Sequence, residues 1–171
     1  MQKMFWKIPW KHKLILVVLS IVNIVFTSLI STSMVVEIMY FLLSEVLLLT
    51  SYFDIRTRII PDWIHVLMLM IGFIGFNPVR SIAGLILTPV PFLIIALLFE
   101  GSIGGGDVKL IGACGFVLGF EKCVIIAIFA NVFAILYALG YYFSNKEITR
   151  MKLPFVPFLY VGWMVVMKIF N

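Results

Sequence analysis

Two aspartates in this 171-residue chain stand where carboxylates are costly. Asp54 closes an apolar run in Tyr52-Phe53-Asp54-Ile55-Arg56, and Asp107 follows three glycines in Gly104-Gly105-Gly106-Asp107. Both flank segments apolar enough to lie in a membrane, where an acidic side chain usually marks an ion pair or a function. Two carboxyls at one depth share a single proton, because like charges at close range cannot both ionise. The ionised partner takes a proton from water, and the protonated one donates to a carbonyl as a tetrahedral centre forms. That is the chemistry of aspartic proteolysis, and it needs no metal, no cofactor and no covalent intermediate.

The residues around the pair admit plainer readings beside this one. Gly104, Gly105 and Gly106 give up helix stability, Gly being about 1 kcal/mol worse than Ala. They permit close approach by another chain, which suits a loop that meets a substrate backbone; a simple interhelical turn needs them as well. Lys109, two residues past Asp107, either biases the pair toward ionisation or meets lipid phosphate. Glu100, before the glycines, either attracts a basic substrate segment or is a plain interfacial residue. Asp62 beside Pro61 suits the positive start of a helix, and Arg56 and Arg58 suit topology anchors. Glu45 lies nine residues before Asp54, roughly 13 Å along a helix; it lines a substrate groove, buffers a proton or, on the plainer reading, hydrogen-bonds inside a bundle. His65 has no His or Cys companion and is a poor metal ligand, so no metal is expected. Cys114 and Cys123 form no C-x-x-C pair and no disulfide framework.

The elements that must position these groups are apolar. Hydrophobic residues make up 63% of the chain and charged ones 12%, with mean hydropathy +1.17. A soluble domain carries about 25% charged residues. The composition excludes a soluble globular domain, a disordered chain and a disulfide scaffold. Seven apolar segments are legible, at 14–30, 34–52, 60–77, 82–99, 108–120, 123–143 and 154–170. The fifth is short and Gly-rich, so the expected fold is an all-α, polytopic transmembrane helix bundle of six or seven spans with short loops. It forms one membrane domain over 1–171, with 1–13 as a basic tail. The first apolar run is longer than the roughly 7–15 residues of a signal peptide's core, so it reads as a retained span. Thr88-Pro89-Val90-Pro91 should kink or break the fourth segment, since each proline removes a backbone donor. Gly115 and Gly119 form a G-x-x-x-G, with Gly112 nearby, which allows close helix approach.

Net charge is +5 with pI near 9.3, and the basic residues sit between apolar runs. Topology and anionic lipid explain them better than nucleic acid does. With the N-terminus inside, one side receives Lys3, Lys7, Lys11, Lys13, Arg56, Arg58, Lys109, Lys146, Arg150 and Lys152. The other receives only Arg80, Lys122 and Lys168. This bias predicts a multi-pass protein with a cytoplasmic N-terminus and both aspartates on the cytoplasmic side, and the membrane expected is the plasma (inner) membrane.

Three runs together resemble the type IV prepilin peptidases, a family of membrane aspartyl proteases. They are D-x-R-x-x-x-I-P-D at Asp54–Asp62, G-G-G-D-x-K at Gly104–Lys109, and Leu153-Pro154-Phe155-Val156-Pro157-Phe158. The resemblance spans roughly residues 34–165 and implies that Asp54 and Asp107 are the catalytic pair. It implies cleavage of the leader peptide of pilin-like precursors on the cytoplasmic side, after a Gly and before the apolar helix. Those precursors, with their basic leaders, and membrane lipid are the partners expected. Larger members carry an N-terminal insert with two C-x-x-C pairs, associated with N-methylation; the present chain resembles the short form, so methylation is not expected. Presenilin-type enzymes share Y-x-D and G-x-G-D elements, but the Ile-Pro after the first Asp argues against them. A proton- or ion-coupled carrier is the alternative function, since membrane carboxylates relay protons. Such a carrier should show a repeat or carboxylates at the bilayer midplane, and the motif aspartates instead fall at one face.

Overall fold

The computed structural model describes residues 9–30, 33–99, 101–145 and 153–170, and every regular element among them is helical. In chain order these are α1 (Trp10–Ile30), α2 (Met34–Thr57), α3 (Asp62–Gly72), α4 (Pro78–Leu87), α5 (Val90–Leu98), α6 (Gly105–Leu118), α7 (Phe120–Asn145) and α8 (Val156–Ile169). Among the described residues, four stretches are long and apolar enough to cross a membrane: Trp10–Leu29, Met34–Thr57, Pro78–Leu98 and Phe120–Phe143. Large apolar side chains of α1, α4, α5 and α7 are exposed around the periphery. In water such a surface would aggregate, whereas acyl chains solvate it, so the chain is a membrane protein.

Helix boundaries follow local chemistry. Asn77 caps α4 by accepting the Arg80 N–H at 3.1 Å, and Pro78 takes the first helical position, where no donor is needed. The fourth apolar segment is two helices, broken at Thr88-Pro89 as the prolines predict. The Thr88 hydroxyl spans the break, with its oxygen 2.6 Å from the Gly84 carbonyl and 3.2 Å from that of Ile111 on α6. The third segment differs from its expected extent of 60–77. It is an 11-residue helix followed by a turn, roughly 16 Å long against a hydrocarbon core of about 30 Å. The glycines also differ from a free loop, because Gly104 is the N-cap of α6, and Gly105 and Gly106 are its first two residues.

The centre of the bundle is α6, in which every residue from Leu110 to Leu118 is buried. Gly84 of α4 and Gly115 of α6 meet so closely that a Cβ on Gly84 would lie 1.9 Å from the Gly115 carbonyl oxygen. On the other side α2 packs on α8, where the Trp163 indole donates to Ser44 at 2.8 Å. Glu45 accepts from Ser20 and from Asn23, and Asn23 in turn accepts from Tyr160. This polar clasp joins α1, α2 and α8 and gives Glu45 partners inside the bundle. His12 of α1 touches Arg56 of α2, and Asp62 of α3 pairs with Lys109 of α6. The start of α1, the end of α2, and the starts of α3, α6 and α8 therefore gather at one end of the molecule.

Candidate active site

Asp54 lies in the last turn of α2, buried at 6% exposure. Arg58 ends that helix three residues beyond Ile55 in a left-handed conformation (φ 56°), donating its N–H to the Asp54 carbonyl at 3.0 Å. A non-glycine residue there is strained, and it turns the chain sharply toward α3 directly after the aspartate. The Asp54 carboxylate accepts the Val156 N–H at 3.0 Å. Val156 is the first residue of α8, so the bond uses one of the N–H groups that a helix start leaves unpaired. The positive end of the helix dipole adds to it.

Asp107 occupies the first turn of α6, at the rim of the bundle. Burial pushes its carboxyl up from 3.8 to about 6; the Asp54 charge pushes the same way, and the Gly104 backbone N–H opposes both in part. Its Oδ1 is buried without a hydrogen-bond partner among the described residues. An unpaired buried carboxyl oxygen is costly and calls for a reason, which a reacting group supplies.

Both aspartates line a single cleft of about 550 Å³. Arg58, Ser102, Gly104, Asn131 and the aromatic rings of Phe92, Phe155 and Phe158 complete its walls. Gly101, at φ 77°, turns the chain along one edge in a conformation that favours glycine. A cleft with mixed polar and aromatic walls and a carboxyl of raised pKa has the features of a binding or catalytic site.

The other sequence-predicted residues distribute unevenly. Gly104 borders the cleft, whereas Gly105 and Gly106 do not. A Cβ on Gly105 would meet nothing within 4 Å, so packing within the chain does not demand a glycine there. Lys109 points away from the cleft to Asp62, 3.2 Å distant, and both side chains are well exposed, so the ion pair contributes at most about 1 kcal/mol. Glu100 lies outside the described residues.

Two participants carry no motif signal. His65 of α3, read in the sequence only as a poor metal ligand, is buried and donates Nε2–H to the Gly106 carbonyl at 3.1 Å. It thereby holds the turn on which Asp107 sits, and its place three residues after Asp62 is the only sequence hint. Asn131 is a lone amide in an apolar run, a signal that sequence reading passes over. No group of three or more His, Cys, Asp or Glu suited to a metal ion occurs among the described residues.

Residues 41–139 match the type IV leader peptidase family. The chain is 30% identical over 126 residues to the prepilin leader peptidase/N-methyltransferase of Bacillus subtilis (strain 168), a match covering 69% of this chain and 50% of that protein. It spans about half the length of the curated relative it matches. No solved structure matches the chain. A family match that runs over more than half of the residues, and that contains both aspartates of the cleft, places this chain in the type IV leader peptidase family.

Proposed function

We propose that the chain is an intramembrane aspartic endopeptidase that removes the leader peptide of type IV pilin-like precursors. The cut falls at the cytoplasmic membrane face, after a Gly and before the apolar helix. The observation that carries the reading is the meeting of Asp54 and Asp107 in one cleft, with the Asp107 carboxyl held near 6. Asp107 bears the shared proton and Asp54 is the base. Asp54 takes a proton from water as its oxygen attacks the scissile carbonyl, and Asp107 donates to the carbonyl oxygen. Collapse of the tetrahedral centre breaks the C–N bond, and the leaving nitrogen takes up a proton from the pair. Gly104, at the border of the cleft, suits the approach of an extended substrate chain. Incubation of the purified protein with a full-length pilin-like precursor should yield a shorter product on a gel, with its new N-terminus just after the Gly. A precursor that stays intact under conditions where the protein is folded would refute the proposal.

The proton on Asp107 sets the pH response. Its carboxyl keeps a proton between 3.8 and about 6, where an exposed one would lose it. Cleavage should therefore decline as pH rises through this upper value, where the pair loses its shared proton, and the limb should belong to the pair rather than to one residue. Initial rates between pH 5 and 8 test this, and a rate that climbs steadily over that range contradicts the assignment.

The same reading sets the orientation, with the cleft and the N-terminus in the cytoplasm of a plasma-membrane protein. Arg58 and Asn77 are both exposed; Arg58 ends α2 beside the cleft, whereas Asn77 caps α4, whose first turn meets Gly119 at the far end of α6. In a cysteine-free background, Arg58→Cys should react only with reagents that reach the cytoplasm and Asn77→Cys with impermeant reagents outside. Labelling of position 58 from outside reverses the topology and removes the cytoplasmic cut.

A further inference from the structure

The aspartate cleft does not end at its polar walls. A second cavity of about 300 Å³ adjoins it and shares Phe92, Ile103 and Asn131 with it. Its sides are apolar faces of α5 (Pro91, Ile95) and α7 (Val124, Ile128). The α5 side is weakly held. No residue of α5 is buried, the helix is severed from α4 at Thr88-Pro89, and its packing is chiefly against α6. The groove thus lies between one firm wall and one loose wall, and both helices present exposed apolar side chains at the periphery. Its volume is at the lower end of ligand-holding pockets, which suits side chains from one face of a helix rather than a whole helix.

Asn131 stands where groove and cleft join. It is the only amide or charged side chain in α7 between Lys122 and Asn145. Its Nδ2 donates to the Ala127 carbonyl at 2.7 Å, and its Oδ1 has no partner among the described residues. The apolar helix of the substrate begins just past the bond to be cut, and a helix start leaves its first backbone N–H groups without intrahelical partners. In a membrane each costs several kcal/mol unless something accepts it. A side-chain carbonyl at the junction meets that need.

We propose that the groove between α5 and α7 binds the apolar segment of the substrate that follows the scissile bond. Asn131 Oδ1 accepts a backbone N–H from the first turn of that segment. The proposal rests on the peptidase reading and adds the path by which a membrane-embedded substrate reaches the aspartates. The substrate slides in sideways from the lipid, between α5 and α7, leaving its polar leader in the cleft.

The test uses the full chain in micelles with a full-length pilin-like precursor. Val124→Phe and Ile128→Trp narrow the groove at positions that are not fully buried. Each should raise KM by about tenfold or more and leave kcat within about twofold, the signature of lost ground-state binding. Asn131→Leu should lower kcat/KM by at least about tenfold, and Asn131→Gln should recover part of it. A photo-crosslinking side chain at Ile95, in a cleavage-inactive Asp107→Asn background, should capture the precursor through its apolar segment. This last measurement decides the matter if the narrowed variants fail to fold. Unchanged KM in folded narrowed variants, or a crosslink that maps to the leader, overturns the groove while wild-type cleavage leaves the peptidase reading standing. A wild-type protein that leaves the precursor uncut overturns both.

Discussion

Asp107→Asn is expected to abolish precursor cleavage and, at neutral pH, to make the folded protein more heat-resistant than the wild type. Asn keeps the size and hydrogen-bonding capacity of the side chain but cannot exchange a proton. Loss of one positioned acid or base costs about 10²–10⁴-fold, and here the two carboxyls act as a unit, so the loss should stand at the upper end. The stability gain has its own sign argument. The carboxyl titrates near 6 when folded and near 3.8 when exposed, so its favourable contribution is present at low pH and lost as pH rises through 6. Above that point the folded state carries a desolvated charge beside Asp54, which Asn removes. Asp54→Asn should lose cleavage equally, with its side-chain oxygen still able to accept from Val156. Gel-shift assays on membranes and thermal melts in detergent check both effects. Full activity in either variant would remove the pair from the mechanism.

The second large effect concerns the contact between Gly84 and Gly115. A Cβ on Gly84 would sit 1.9 Å from a backbone oxygen, and one on Gly115 would sit 2.3 Å from Thr88 Oγ1 and 2.4 Å from the Gly84 oxygen. Backbone cannot swing aside as a flexible side chain does, so even alanine forces α4 and α6 apart. Gly84→Ala or Gly115→Ala should cost about 1–3 kcal/mol, and Gly84→Leu more. Cleavage should fall as well, because α6 carries Asp107. Gly140→Ala is the control. It lies on α7 with nothing within 4 Å of its Cβ position, and it should be neutral or stabilising by up to about 1 kcal/mol. Equal melting temperatures for the Gly84, Gly115 and Gly140 variants would show that the contact is not tight.

What the sequence made legible is chiefly what is local. Asp54 and Asp107 announce themselves because a carboxylate beside an apolar run is rare, and the Pro89 break follows from a missing N–H within one segment. The G-x-x-x-G told of a close helix contact and missed a helix end. Gly115 and Gly119 both abut α4, at Gly84 and Arg80, as the motif predicts; that Gly119 also ends α6 at φ 84° is a role that spacing does not distinguish. The triple glycine reads as an open loop because glycine disfavours helix interiors. At a helix start that penalty is smaller, and α6 begins there. The contacts that complete the cleft are distant in the chain. Val156 reaches Asp54 across 102 residues, and His65 reaches Gly106 across 41. No periodicity or composition encodes such pairings; they exist only once the helices have packed.

The bond from Val156 to Asp54 also orders events in time. Membrane helices are made and inserted from the N-terminus, at roughly 5–20 residues per second. When α2 emerges from the ribosome, the helix start that will hold its aspartate lies 102 residues away and has not been synthesised. Until α8 docks, Asp54 lacks that donor, and the Phe155–Phe158 wall of the cleft is missing. The nascent chain thus carries both aspartates through the insertion machinery, among other unfolded membrane segments, before the cleft that would use them exists. On the peptidase proposal, the order of synthesis keeps the pair idle until α8 arrives.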